Sequence, residues 1–396
     1  MATLEAMEMK SQRLGNLDVL RGIVILAILI ININYFSTPS LIRYNPLAYG
    51  DFSVLDQWVW LFEYGLVKQR FMTLLALLYG VGIMLFVGKY QKLGVSPTKP
   101  FVSRSLFLLL FGLAHAYLIW DGDILVAYAL CGLIVFWLRN LGAVWLIGFG
   151  LTLSFGVVAP DIWNAIQAMV SPPATPDWWI PDATAAQQAA SQKYNGSWWE
   201  LTPGRVAAAW DRQSLDFIYF TLWRCSGLMM LGMGLWKVGA LTSPQVLKHF
   251  SLWGLLLGLV ISLGATWYLV DSGFSYSVFV GINSVGFYIG SIVLALGYLG
   301  FVMLWGKSSF LKPLQNLLAK AGRMAFTLYI MQSVICGIIF YGYGFDLFGQ
   351  VSRSELWIYT VGIWGFQLLF VIVWFNYFKR GPLEGVWRKG YEWAAR

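Results

Sequence analysis

Long apolar stretches alternate with short polar connections along almost the whole chain. Each stretch has about 20 residues, the length that an α-helix needs to cross the hydrocarbon core of a bilayer. The pattern therefore predicts an all-α, polytopic membrane protein that forms a single transmembrane domain over residues 1–396. We expect ten spans, at residues 19–38, 71–88, 103–120, 124–138, 142–159, 215–236, 250–270, 278–305, 323–343 and 356–378.

The composition agrees with a membrane protein. Of 396 residues, 58% are hydrophobic, 17% are aromatic and 12% are charged, whereas a soluble domain has roughly 25% charged residues. These proportions exclude a water-soluble globular enzyme, a disordered chain and a nucleic-acid-binding protein. Membrane lipids are therefore the expected surroundings, and the net charge of +8 needs an explanation other than nucleic acid.

The orientation of the spans explains most of the positive charge. Lys and Arg concentrate in the cytoplasmic connections of membrane proteins. With the N-terminus in the cytoplasm, 18 of the 27 basic residues lie on the cytoplasmic side, 7 lie on the outer side, and Arg21 and Arg224 lie within spans. We therefore expect both termini in the cytoplasm, including a tail at residues 379–396. The basic side chains of the cytoplasmic side could also bind an anionic ligand.

Two outer segments are more than connections. Residues 52–68 place apolar side chains on one helical face and charged ones elsewhere, which predicts an amphipathic helix in the membrane interface. Residues 160–214 form a long loop rich in Trp and Pro, with a short helix expected at 183–193. The Trp content favours a folded cap. Stacking of these Trp rings on a sugar is one interpretation, and anchoring at the interface is the favoured one.

Polar side chains within spans are costly in lipid, so they are the first candidates for function. In the predicted orientation, Arg21 lies near the inner side, and five of the candidates lie near the outer side: Asn32, Asn34, His115, Asp121 and Asp123. A polar path from the inner to the outer side is the expected arrangement. The candidates are Asp18, Arg21, Asn32, Asn34, His115, Asp121, Asp123, Arg224, Tyr329 and Gln332.

His115 is the only histidine within a predicted span, because His249 follows a lysine at a cytosolic helix start. Imidazole acid–base chemistry would therefore fall to His115. A carboxylate on its second ring nitrogen would orient it, and Asp123 suits this role better than Asp121, after a fold-back across the turn between them. The alternative is a structural histidine that bonds to a neighbouring helix. One embedded His with distant carboxylates does not supply enough ligands for a metal site.

The other polar candidates also have two interpretations. Arg224 needs an anion or a ring of carbonyls; a structural ion pair with Asp216 or Asp211 would satisfy it. Asn32 and Asn34 could hold helices together or donate hydrogen bonds to a reacting group.

The segment Leu17-Asp18-Val19-Leu20-Arg21-Gly22 resembles the opening motif of two families of membrane-bound acyltransferases, the acyltransferase-three family and the heparan-alpha-glucosaminide N-acetyltransferase family. The residue eleven positions after Arg21 is Asn32, as in the second family. The chain as a whole is more similar to YeiB-like proteins, a bacterial family. The matching pieces are residues 16–22, 71–82, 112–125, 232–237 and 322–344.

The resemblance implies a transmembrane acyltransferase of the bacterial cytoplasmic membrane. Acyl-CoA, in the first place acetyl-CoA, would donate from the cytosol, and a hydroxyl or amine of a glycan or small molecule would accept on the outer side. Arg21, Lys320 and Arg323 would bind the CoA phosphates, and His115 would deprotonate the acceptor. Asn32, Asn34 or Gln332 would stabilise the oxyanion. The alternative is a transporter or lipid-handling protein without covalent chemistry. Oligomeric assembly is left open.

Overall fold

The computed structural model describes residues 2–49, 52–180 and 192–395, and the regular structure within these ranges is helical throughout. The all-α fold class is therefore confirmed. Most of the predicted short helix at 183–193 lies outside the described residues. The α-helices are α1 (Ala2–Ser37), α2 (Val54–Phe62), α3 (Arg70–Lys92), α4 (Thr98–Ala114), α5 (Leu125–Trp137), α6 (Ala143–Gly156), α7 (Ala159–Val170), α8 (Trp198–Gln213), α9 (Leu222–Lys237), α10 (Pro244–Asp271), α11 (Tyr276–Val278), α12 (Ser284–Trp305), α13 (Lys312–Gly322), α14 (Ala325–Phe340), α15 (Leu356–Tyr377) and α16 (Pro382–Ala394).

Several of these helices are long and apolar enough to cross a membrane. Seven continuous helical segments of the described chain qualify, and α13 with α14, bent by 79°, would be an eighth if the pair crosses as one span. Each of the ten predicted spans contains a helix, but α5 and α9 are shorter than 18 residues. The count of ten spans stays a prediction. The seven are Gly15–Ser37, Val54–Lys92, Thr98–Ile119, Ala143–Val170, Pro244–Asp271, Tyr276–Trp305 and Leu356–Tyr377.

Both ends of the described chain lie at the same end of the molecule. Helix α1 starts there, and α16 packs beside the start of α4, where Trp387 donates a hydrogen bond to the carbonyl of Arg104. We call this the terminal end. The opposite end, where α1 finishes and α3 begins, is the cavity end.

Glycines allow the helices to pack closely. In a membrane, close packing holds helices together, because the hydrophobic effect does not drive them to associate there. A Cβ at Gly22 of α1 would lie 2.0 Å from the carbonyl oxygen of Leu318, and one at Gly322 would lie 1.9 Å from that of Asp18. Helices α1 and α13 therefore cross in direct backbone contact. The crossing fixes the Asp18–Gly22 motif beside Arg323 at the terminal end.

The segment at residues 52–68 is helical in α2 and continues through a π-helical turn, Glu63–Val67. Its apolar side chains Val54, Leu55 and Trp58 are exposed on the outside of the protein, while Asp56 is buried. The polar side of this segment therefore faces the protein and the apolar side faces outward.

The loop at residues 160–214 folds against the cavity end. Trp198 of α8 donates a hydrogen bond of 2.8 Å to the carbonyl of Leu118, and Arg205 donates one of 2.9 Å to that of Tyr117. Trp179 is fully buried and bonds the carbonyl of Phe274. Helix α8 thus covers the turn that follows α4, while the start of the predicted loop, up to Val170, belongs to the helical segment Ala143–Val170.

Candidate functional site

His115 and Asp123 form a buried pair at the cavity end. The imidazole Nδ1 lies 2.7 Å from the carboxylate Oδ1, and the two side chains are 1% and 0% exposed. A carboxylate in this position accepts a hydrogen bond from Nδ1–H and so favours the tautomer in which the Nε2 atom keeps a free lone pair. The pair therefore has the arrangement of a general base with its orienting acid.

Local backbone structure creates the pair. His115 begins a π-helical turn, His115–Ile119, and π turns are frequent at functional sites. The chain then reverses at Gly122, where a Cβ would lie within 2.3 Å of the Trp120 ring. Asp123 also accepts a 2.8 Å hydrogen bond from the Val126 amide at the start of α5. Its carboxylate is therefore fixed from two sides, because it caps a helix and holds the imidazole.

Aromatic rings surround the imidazole. The Tyr329 ring of α14 lies 5.1 Å from it and the Trp120 ring 6.2 Å, measured between centroids. The Tyr329 hydroxyl donates to the carbonyl of Gly122 at 3.4 Å. The buried Nε2 atom of His115 has no hydrogen-bond partner among the described residues. The free nitrogen is thus buried in an aromatic environment.

A cavity of about 540 Å³ adjoins the pair. Asp123 and Trp120 line it, whereas His115 lies behind them. The three other π turns of the described chain contribute side chains to its wall; they are Glu63–Val67, Phe217–Thr221 and Phe279–Asn283. The Asp, Lys, Arg and amide side chains of the lining are Asn32, Lys68, Gln69, Asp121, Asp123, Asp161, Arg212, Gln213, Asp216 and Arg224.

Four of the sequence candidates meet in this lining: Asn32, Asp121, Asp123 and Arg224. Asp121 does not reach His115 as its orienting acid but forms an ion pair of 3.1 Å with Arg212. Arg224 is buried and donates a 2.8 Å hydrogen bond to the Thr73 hydroxyl. Within the described ranges it forms no ion pair with an aspartate, so the expected pairing with Asp216 or Asp211 is not present.

Two candidates lie away from the pair. Asn34 bonds the Ile30 carbonyl and the Glu63 carboxylate. Gln332 donates to the carbonyl of Ile25 and to the side chain of Gln367. Both amides join helices.

The basic candidates at the terminal end lie on helices that the α1–α13 crossing brings together. Arg21 pairs with Asp18 at 2.9 Å, one helical turn away. Arg323 is exposed and stacks on the Phe375 ring at 4.7 Å. Lys320 is half-buried. Within the described ranges, Lys320 and Arg323 form no ion pair, and both lie on the side opposite the cavity.

Sequence reasoning missed Lys68 and the ion pair of Glu63 with Arg353 (2.5 Å). Lys68 is 8% exposed and its ammonium lies 3.8 Å from the centroid of the Tyr44 ring. The run Lys68-Gln69-Arg70 between two apolar segments was the available signal. A polar run of this kind is normally interpreted as an exposed connection between spans, and the sequence alone does not show that it is buried.

No group of three or more His, Cys, Asp or Glu side chains in the part of the chain that the structure describes is arranged to hold a metal ion.

Relatives match the chain over nearly its whole length. The uncharacterized protein YeiB of Escherichia coli (strain K12) is 31% identical over 399 aligned positions, which cover 96% of each chain. The chain belongs to the YeiB-like family. The uncharacterized protein YxaH of Bacillus subtilis (strain 168) is 28% identical and covers 96% of this chain and 94% of its own. An uncharacterized 39.9 kDa protein of Bacillus acidopullulyticus is 26% identical, with 95% and 93% covered.

The C-terminal part of the chain, residues 235–394, matches a family described as a protein of unknown function, DUF418. No solved structure matches the chain. The fold and the relatives together identify an integral membrane protein of the YeiB-like family.

Proposed function

We propose that the protein is a transmembrane acyltransferase that moves an acyl group, in the first place acetyl, from cytosolic acyl-CoA to a hydroxyl or amine on the outer side. The buried His115–Asp123 pair carries this proposal, with its 2.7 Å contact and free Nε2 atom. The resemblance of the Asp18–Gly22 motif to membrane-bound acyltransferases supports it.

The reaction needs one base and one site for negative charge. The His115 Nε2 atom takes the proton of the acceptor, whose oxygen or nitrogen attacks the thioester carbonyl carbon. The carbonyl oxygen becomes an oxyanion, and Asn32, the candidate amide in the cavity wall, is the side chain suited to donate to it. The bond from carbon to sulfur then breaks, and the CoA thiolate takes the proton from His115. Asp123 stabilises the imidazolium between the two proton transfers.

The donor would enter from the terminal end, which the proposal places in the cytoplasm of a bacterial cell. CoA phosphates need basic partners, and Arg21, Lys320 and Arg323 lie on the helices joined by the α1–α13 crossing. The acceptor, a glycan or small molecule, would enter the cavity from the other side. Trp120 and Asp123 line the cavity and His115 does not. A movement of the Trp120 side chain would therefore let the acceptor reach the His115 Nε2 atom.

A carrier without covalent chemistry is the second candidate. The observation that favours it is the size of the cavity and its mixed lining of Lys68, Arg224 and several aspartates. A carrier moves its solute without consuming acyl-CoA, so one assay separates the two.

The test uses membrane vesicles from cells that produce the protein, opened to both sides and supplied with radiolabelled acetyl-CoA. The acyltransferase proposal predicts release of the CoA thiol together with transfer of label to another membrane or soluble compound, both above the level of vesicles lacking the protein. Equal release and transfer in the two preparations would contradict it.

A further inference from the structure

The wall of the cavity holds two cations, Lys68 and Arg224, that form no ion pair with a carboxylate of the described residues. Lys68 lies at the break between the π turn Glu63–Val67 and helix α3, where Gln69 has a left-handed backbone (φ 66°). This break directs the chain across the cavity wall. The Lys68 ammonium contacts the Tyr44 and Tyr64 rings, at 3.8 and 4.6 Å from their centroids, and has no hydrogen-bond partner in the described chain.

Arg224 is the second cation of the wall. The residue is 5% exposed, its guanidinium donates a hydrogen bond to the Thr73 hydroxyl, and its Nε atom has no hydrogen-bond partner among the described residues. The rings of Tyr288 and Phe220 lie over it at 5.3 and 5.9 Å. Ring faces attract a cation only weakly in comparison with a carboxylate or phosphate. Arg224 thus has capacity for an anion.

Arg70 adds positive charge behind the wall. It is 0% exposed, donates to the carbonyls of Tyr64 and Lys68, and lies 4.5 Å from the centroid of Phe287, a residue of the cavity lining. Its Nε and second Nη atoms have no partner in the described ranges. Buried cations are costly unless an anion balances them.

The acidic side chains nearby do not supply that balance. Glu63 pairs with Arg353, Asp121 with Arg212, and Asp123 with His115. Asp161 and Asp216 also line the cavity. Among the described residues, neither forms an ion pair with Lys68 or Arg224. The missing partner is therefore expected to come from a ligand.

We infer that the cavity binds its ligand through an anionic group, a phosphate or a carboxylate, held between Lys68 and Arg224. The identification of this ligand with the acyl acceptor rests on the proposed function. The anion could belong to a lipid headgroup or to a soluble compound, and both would present the same chemistry to the two cations. Anchoring the anion there would leave a hydroxyl or amine of the same molecule near Asp123 and His115.

The experiment measures binding by the full-length purified protein, without acyl-CoA. One arm uses glycerol 3-phosphate as a soluble probe. The other arm uses nanodiscs of phosphatidylcholine with or without phosphatidylglycerol, read out by thermal unfolding. Saturable stabilisation in the first arm would indicate a soluble ligand, and stabilisation in the second a lipid.

The variants are Lys68→Met and Arg224→Gln, with Lys193→Met as the matched control. Lys193 is an exposed cation at the cavity end, outside the cavity lining. We expect each cavity variant to weaken binding at least about tenfold, because each removes a charged hydrogen-bond donor, and the control to bind as the wild type does. Arg224→Lys should keep part of the affinity.

Equal binding by wild type and both cavity variants, or no saturable binding in either arm, would overturn the inference. Loss of folding is checked without probe: Lys68→Met removes an unpartnered buried cation and should unfold at the same or a higher temperature. A marked loss of stability would show that Lys68 already has a partner in the protein, which also contradicts the inference. Binding of the anionic probe without acetyl transfer would support the inference and reject the proposed function. Acetyl transfer without binding of the probe would reject only the inference.

Discussion

At the scale of single residues, Asp123 connects structure and chemistry. Its Oδ1 atom contacts His115, and its Oδ2 atom accepts the amide of Val126. The second contact fixes the carboxylate on a helix start, where negative charge is favoured by the helix dipole. The imidazole is therefore held by an element of the fold and not by a flexible side chain alone.

We predict that Asp123→Asn slows acetyl transfer by about 10²-fold or more, because an amide no longer selects the Nδ1–H tautomer that leaves Nε2 free. The amide oxygen can still accept from the Val126 amide, so folding should be nearly unchanged. The measurement is the transfer rate per folded molecule. Asp271→Asn, an exposed change at the end of α10, is the control; equal rates for all three proteins would remove Asp123 from the mechanism.

The sequence was informative about this pair because its two members are eight residues apart across a turn that contains Gly122. It was uninformative about Glu63 and Arg353, which are 290 residues apart. It also did not distinguish Asn32, which reaches the cavity, from Asn34, which bonds Glu63. Two residues along a helix change the face of a side chain by about half a turn, and the orientation of that face depends on tertiary packing.

At the scale of helices, the apolar pattern of the sequence did not predict the π turns or the close helix crossings at glycines. A π turn adds one residue to a helix, and the hydropathy of the segment hardly changes. The four π turns lie at the His115 pair or contribute to the cavity wall. The site is thus built where regular helices are interrupted, while the rest of each helix follows from its apolar length.

The α1–α13 crossing gives a prediction of stability. Gly22→Ala should destabilise the protein by about 1–3 kcal/mol or more, because the added Cβ would lie 2.0 Å from the Leu318 carbonyl oxygen. Thermal unfolding in detergent measures the effect. Gly82→Ala is the matched control, since a Cβ there has no neighbour within 4 Å. Similar unfolding temperatures for the two variants would contradict the close approach of α1 and α13.

At the scale of the whole molecule, the apolar pattern predicted the membrane-spanning, all-α fold. The number of spans depends on whether short helices such as α5, and bent ones such as α14, cross the bilayer completely. The length of the apolar stretch does not determine this. The distribution of basic residues predicts the orientation of the molecule in the membrane. The proposed reaction depends on this direction, because CoA and the acceptor must approach from opposite sides.

The orientation can be tested with single cysteines, because the three native ones are buried. We predict that a membrane-impermeant maleimide added to whole cells labels Lys193→Cys in the outer loop and leaves Lys389→Cys in α16 unlabelled. Inverted vesicles should give the reverse result. Both positions are exposed, so labelling of Lys389→Cys alone in whole cells would reverse the proposed orientation.

The most direct test of the acyltransferase account is the rate of acetyl transfer per folded molecule in wild type, His115→Ala and His249→Ala. His249 is exposed and bonds the carbonyl of Gln245 on its own helix, so its removal controls for the loss of a histidine. The account predicts a fall of about 10²–10⁴-fold for His115→Ala, with unchanged CoA binding, and a normal rate for His249→Ala. A His115→Ala protein that transfers acetyl at the wild-type rate would contradict it.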